Sequence, residues 1–192
     1  MRVLSLVVAV ILTVILQGCF PLAATGIGAA ALMVDDRRST GVYVEDENIE
    51  WKARGRLLDR FKDAHVNVTS FNLAVLLTGE VPTEQMKQEI ADVIRAIPSV
   101  KSVTNELNIG GNTALTARAN DGFITTNVKT RFINNGKFSI NHVKVVTEAG
   151  TAFLLGIVTR DEGDAATELA RTTSGVSRVV KVFEYIEQPL KR

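Results

Sequence analysis

Apolar and polar positions along this chain fall into a strand-like and helix-like pattern that runs through its course twice. In the first course, Ile49, Ala53, Leu57, Leu58 and Phe61 recur at helical spacing between Glu47 and Asp63. Val66 and Val68 then alternate with polar residues, as in a short half-buried strand. Phe71, Leu73, Val75, Leu77, Gly79 and Val81 line one face of a longer strand. Pro82-Thr83 opens a second helix with the stripe Met86, Ile90, Val93, Ile94 and Ile97, and Pro98 ends it. A last strand carries Val103, Leu107 and Ile109, giving the order αββαβ.

The second course repeats this order. Gly156 follows Gly79 by about 77 residues, and the Val176/Val179 pair follows Val100/Val103 by about 76, the signature of a duplicated module. A helix is expected from Asp121, as N-cap, through Ile124, Val128 and Phe132, stopped by Asn134-Asn135-Gly136. Val143 and Val145 match Val66 and Val68, and Ala152, Leu154, Gly156 and Val158 match the longer strand. An Ala-rich helix of lower apolar content follows, from about Asp164 to Thr173. Gly79 and Gly156 are expected to let a helix pack close to the strand backbone.

The ends set the compartment. Arg2 precedes an apolar run from Val3 to Leu16, the length of a signal-peptide core and short for a membrane span. It closes on Leu16-Gln17-Gly18-Cys19, which resembles a bacterial lipobox, and Cys19 is the single cysteine of the chain. The reading is a signal peptide over 1–18 and a lipidated tether over 19–45, with Cys19 carrying acyl chains such as palmitate. The alternative is an uncleaved signal anchor continuing through Val34, a stretch interrupted by Pro21, Gly26 and Gly28. By resemblance to lipoprotein sorting rules, Phe20 after the cysteine points to the outer membrane. One cysteine leaves no internal disulfide, so each module folds on its own core. The net charge of +1, without a basic run, argues against a nucleic-acid partner.

The Leu-x-Gly-x-Val strand, the amphipathic helix after it and the Val-x-x-Val strand resemble the BON domain of bacterial envelope proteins. With the lipobox and Asp36-Arg37-Arg38-Ser39-Thr40-Gly41 in the tether, the chain is similar to the dual-BON outer-membrane lipoproteins. That resemblance implies an α+β fold of two tandem αββαβ modules, each a three-stranded mixed sheet with two helices on one face. The modules are expected at 46–110 and 121–187, with a linker at 111–120 and a tail at 188–192. It also implies a lipid-anchored protein on the periplasmic face of the outer membrane that binds anionic phospholipid of the phosphatidylglycerol type and supports envelope integrity. Close family members carry a tryptophan near the start of the second module's first helix, where this chain has Phe123.

Catalytic chemistry finds little support. His65 and His142 each precede a Val-x-Val strand, and no carboxylate stands at metal-ligand spacing beside them in the sequence. The expectation is therefore no enzyme, no metal and no cofactor. The helix opening at Asp121 is the candidate binding site. Ile124 shares the core side with Val128 and Phe132, whereas Phe123 shares its side with Asn127, Thr130 and Arg131. An aromatic ring beside a cation, near a helix N-terminus, suits an anionic bilayer surface, which marks Phe123, Ile124, Asn127, Thr130 and Arg131 as lipid-binding candidates. Phe123 folding back onto its own module is the competing reading. A scaffold that docks an envelope protein partner is the competing function.

The sheet face turned away from the helices differs between the copies. In the first it is mostly polar, with Asn72, Ala74, Leu76, Thr78 and Glu80 on the long strand and Ser102, Thr104, Glu106 and Asn108 on the last. In the second Phe153, Leu155 and Ile157 stand beside Val180, Val182 and Ile186, too contiguous an apolar surface to face water. This face is expected to pack on the first module, against the helix around Trp51.

Overall fold

The computed structural model of the protein describes residues 35–58 and 60–188. The signal peptide, Cys19, the tether as far as Val34 and residues 189–192 lie outside the described residues. Two modules follow one another. The first comprises α1 (Thr40–Leu58), β1 (His65–Phe71), β2 (Ala74–Val81), α2 (Glu84–Arg95), β3 (Ser102–Asn105) and β4 (Asn108–Ile109). The second comprises α3 (Leu115–Ile133), a 3-10 turn (Ile140–His142), β5 (Val143–Glu148), β6 (Thr151–Val158), α4 (Arg160–Arg171) and β7 (Arg178–Tyr185). Among the described residues no helix is long and apolar enough to cross a membrane.

Each sheet is mixed. β1 and β2 form an antiparallel hairpin, and β3 and β4 both pair parallel to β2. β5 and β6 form the matching hairpin, and β7 runs parallel to β6 along its whole length. The expected last strand of the first module is thus broken in two, because Leu107 turns inward and is buried between the pieces. The cores lie between each sheet and its two helices. Ile49, Ala53, Leu57, Val75, Leu77, Ile90 and Ile94 fill the first, and Ile124, Val128, Phe132, Leu154, Val158, Ala166 and Ala170 fill the second.

Several boundaries differ from the sequence expectation for local reasons. Helix α1 starts at Thr40, inside the stretch expected to be tether, where the Ser39 hydroxyl accepts a hydrogen bond from the Val42 N–H at 3.3 Å. The single long strand expected from Phe71 to Val81 is cut by a two-residue turn. Asn72 (φ 53°) and Leu73 (φ 68°) reverse the chain there, so Phe71 belongs to β1 and faces away from its own helices. Helix α4 starts four residues before the expected Asp164, at a capping box in which the Thr159 side chain accepts from the Glu162 N–H. Gly163 hides that start in the sequence. A Cβ at this position would stand 3.1 Å from Tyr185 and 3.4 Å from Phe183, the rings of β7.

The strand glycines also have a different reason from the one expected. A Cβ on Gly79 would fall 2.0 Å from the carbonyl oxygen of His65, and one on Gly156 would fall 2.5 Å from that of His142. The close neighbour is the backbone at the start of the partner strand (for Gly156, the last residue of the 3-10 turn just ahead of β5), not a packed α-helix.

Asp121 does not cap a helix. α3 begins six residues earlier, within the stretch expected to be linker, and Asp121 lies mid-helix, 5 % exposed. Its carboxylate accepts the N–H groups of Ala149 and Gly150, each at 2.9 Å, and these residues form the β5–β6 turn with φ values of 47° and 71°. Asp46 does the same in the first module. It accepts from the N–H groups of Asn72 and Leu73 at 2.9 and 2.8 Å and from the Ser70 hydroxyl at 2.7 Å. In both copies the first helix therefore holds a left-handed hairpin turn by a buried carboxylate.

Removing one such carboxylate leaves two turn N–H groups without an acceptor. Asp121→Ala is expected to lower the free energy of unfolding by about 2–4 kcal/mol, read from the urea midpoint. Glu47→Ala, on the exposed side of α1, should shift it by no more than about 0.5 kcal/mol.

Candidate functional site

The five helix residues marked for lipid binding separate into different roles. Ile124 is 2 % exposed and belongs to the core of the second module. Asn127 is half-buried, and the Thr130 hydroxyl donates back to the carbonyl of Thr126 at 2.9 Å. Arg131 is engaged: its Nη1 donates to the Leu169 carbonyl at 2.7 Å and to the Thr172 and Thr173 hydroxyls at 2.9 and 3.0 Å. It closes the C-terminal end of α4, where a cation complements the helix dipole. Phe123 alone projects freely, 65 % exposed. Because α3 starts at Leu115, Phe123 lies beyond two helical turns, and the unpaired N–H groups of the helix end are not beside it. The competing reading, a ring folded back on its own module, is not what the structure contains.

The two open sheet faces meet. Phe71 and Leu76 of the first module form one buried cluster with Phe153, Leu155 and Ile157 of the second, flanked by Val146, Val180, Val182 and Ile186. Trp51 takes no part in this cluster and is 71 % exposed. It sits on the side of α1 opposite Ile49 and Ala53, together with the exposed Val44 and Leu58. The covering surface is thus the first sheet, not the first helix. Its polar residues are buried along with it, Thr78 at 1 % and Glu80 at 5 % exposure.

Polar contacts ring the apolar junction. Lys144 donates to Glu50 at 2.9 Å and to the Ser70 carbonyl at 3.2 Å, Asn67 to Glu148 at 2.8 Å, and Asn72 to Glu184 at 2.6 Å. The adjacent arginines ahead of α1 reach opposite modules. Arg37 makes a bidentate pair with Glu162 at 2.6 and 2.8 Å and donates to the Ile157 carbonyl at 2.7 Å. Arg38 pairs with Asp46 at 2.9 Å and stacks on Phe71, 4.2 Å from the ring centroid. The segment expected to be a flexible tether is therefore ordered from Asp35 and joins both modules.

Burial pushes the Glu162 carboxyl up, but the Arg37 guanidinium, the Thr159 N–H and nearby His142 outweigh it, so it lies below the ordinary glutamate range. Glu80 follows the same balance. Burial raises it, and hydrogen bonds from Thr113 and His65 bring it below the ordinary value.

The histidines are not isolated. His142 lies 3.7 Å from Glu162 and 3.4 Å from Asp35. His65 Nδ1 is 3.0 Å from Glu80, and Glu148 of the second module completes a group whose donor atoms all lie within 4.8 Å of one another. Carboxylates absent from the sequence neighbourhood of His65 are brought there by strand pairing and by the junction. Sequence reading gave no signal for this, since the His65–Glu80 register depends on where the hairpin turns.

The BON domain profile matches residues 45–111 and 120–187, covering both modules. The chain is 35% identical over 181 residues to Outer membrane lipoprotein DolP of Haemophilus influenzae, covering 91% of this chain and 92% of that protein. It is 32% identical over 155 residues to a 21 kDa hemolysin of Actinobacillus pleuropneumoniae, covering 79% of this chain and 80% of that one. It is 26% identical over 144 residues to the Osmotically-inducible protein Y of Escherichia coli, covering 72% of each.

Arg37→Ala removes one partner of a nearly buried pair and is expected to cost about 3 kcal/mol at neutral pH. The Glu162 contribution to stability is full above the ordinary glutamate pKa and is lost as pH falls through its lowered folded value. Urea midpoints at pH 7 and pH 4 should therefore differ less in Arg37→Ala than in the parent.

Proposed function

The chain belongs to the BON-domain family of outer-membrane lipoproteins, and we propose that it is a non-catalytic, periplasm-facing member that recognises anionic phospholipid and supports envelope integrity. Cys19 carries the lipid anchor in this reading. The observation that carries lipid recognition is Phe123, a large apolar ring 65 % exposed on a helix whose other side is locked into the core by Ile124, Val128 and Phe132. A ring held out from a packed helix enters a headgroup layer with little loss of conformational freedom, so its burial is retained as binding free energy. Leu115 and Ile133, both exposed, lie about 80° round the helix from it and widen the apolar contact. Arg131 is committed to α4, so anionic preference comes from elsewhere on the surface, and the Arg131 side chain acts through stability.

The scaffold reading also has an observation behind it. Val44, Trp51 and Leu58 are exposed at 51, 71 and 65 % and follow one another at a spacing of about two turns on the outer side of α1. Such a stripe suits the apolar groove of an envelope protein as well as a bilayer.

Phe123→Glu separates the readings. It should reduce co-sedimentation of residues 35–192 with phosphatidylglycerol vesicles by about ten-fold, the worth of one buried aromatic, while the melting temperature stays within a degree or so of the parent. Unchanged sedimentation in Phe123→Glu together with loss in Trp51→Glu would transfer the lipid contact to α1, and no loss in either would favour the scaffold. The anchor has its own measurement. Cys19→Ser should leave unprocessed full-length precursor, and a mass spectrum of native protein with unmodified Cys19 would sink the lipoprotein assignment.

A further inference from the structure

The junction brings together a ligand set that neither module holds alone. His65 and Glu80 face each other as a cross-strand pair on the open face of the first sheet. Glu148 closes on them from the end of β5 in the second module. We propose that His65, Glu80 and Glu148 form a divalent transition-metal site, of the kind zinc occupies, that bridges the two modules.

Charge is the first argument. Glu80 and Glu148 are 5 % and 6 % exposed, and the His65 imidazole is the basic group of the cluster, with Arg118 lining the same cavity. Two carboxylates crowded out of water carry a large desolvation cost unless a cation compensates them. A dication with two carboxylates and a neutral imidazole is electrically neutral. The other histidine supplies the contrast. Beside His142, Glu162 is neutralised by the bidentate Arg37 guanidinium, and no arginine makes an ion pair with Glu80 or Glu148 among the described residues.

Geometry is the second. The His65 Nδ1 to Glu80 separation of 3.0 Å is already close to the ~3.4 Å edge of a tetrahedral zinc site, and no two of the three donor atoms lie more than 4.8 Å apart. Each ligand has an outer partner. Thr113 donates to Glu80 through its N–H and hydroxyl, and the Asn67 amide touches both His65 Nε2 at 3.4 Å and Glu148 at 2.8 Å. Such supports orient the ligands of metal sites. A cavity of about 380 Å3 lined by His65, Asn67, Arg118, Asp121, Thr125 and Glu148 gives an ion access. Of its charged residues, Asp121 is engaged by the hairpin turn. Arg118 has an Nε without a hydrogen-bond partner, and its charge opposes a bound cation.

The test uses the full chain in detergent, stripped with chelator and titrated with zinc chloride by calorimetry. One saturable site per chain is expected, with a dissociation constant in the low micromolar range or below. His65→Ala and Glu148→Gln should each weaken it by at least ten-fold. Glu148→Gln retains the side-chain volume and the acceptor for Asn67, so it keeps the fold. His142→Ala should leave the affinity unchanged, and Arg118→Gln should leave it unchanged or tighten it. Saturating zinc should raise the melting temperature of the parent by about 5 °C and that of Glu148→Gln by much less. The absence of saturable heat overturns the proposal. So does an affinity equal to the parent's in His65→Ala or Glu148→Gln, or a loss in His142→Ala as large as that in His65→Ala.

Discussion

A single carboxylate in each module, Asp46 or Asp121, fixes how the helix meets the hairpin, and the remaining architecture follows from it. A two-residue hairpin turn of this hand places both residues at positive φ, which is strained for Asn72, Leu73 and Ala149. The aspartate accepts the N–H groups of both turn residues. It thereby offsets the strain and denies the hairpin a slipped register. A slip of one residue would exchange the two faces of the strand, sending Leu76 and Phe153 toward the helices and Leu77 and Leu154 outward. The buried acid is thus the reason the apolar open face exists in a defined place.

That open face explains why the modules do not behave as beads on a string. Phe153, Leu155 and Ile157 need cover, and the first sheet gives it with Phe71 and Leu76 at the centre. The rest of the first sheet's face is polar, so the polar groups it buries must be answered individually. Asn67, Lys144, Thr113 and Glu80 do so through bonds that cross or flank the junction. Arg37 and Arg38 add a connection from outside the sheets, one to each module. Apolar burial supplies the affinity of the modules for one another, and the paired polar groups fix their register.

Sequence periodicity made the duplication, the element order and the two helix-side cores legible, because strand and helix repeats are set by burial on one side. Thr83 was visible as a helix start for the same local reason. Features that depend on partners distant in sequence were not visible. Asp121 reads as an N-cap because an acid before an apolar stripe normally is one, whereas here the helix extends back to Leu115 and the acid serves a turn 28 residues later. Arg131 looked available for phosphate until α4 placed its carbonyl end beside it. Trp51, expected to meet the open face of the second sheet, proves to lie with Leu58 on the outer side of the helix. The His65 cluster needs the hairpin register and the docked second module together, and neither can be read from spacing.

Stacking the open faces on one another has a consequence for recognition. Once both sheets are turned inward, the surfaces left for a bilayer or a protein are the outward sides of the helices and the edges of the sheets. Among the described residues, Phe123 on α3 and Trp51 on α1 are the large aromatic side chains presented there at more than half exposure. Neither can retract into a core without displacing residues that are fully buried, since Ile124 and Ala53 already occupy the inward positions next to them. The two packed cores under these rings, joined through the stacked sheets, fix where α1 and α3 present them.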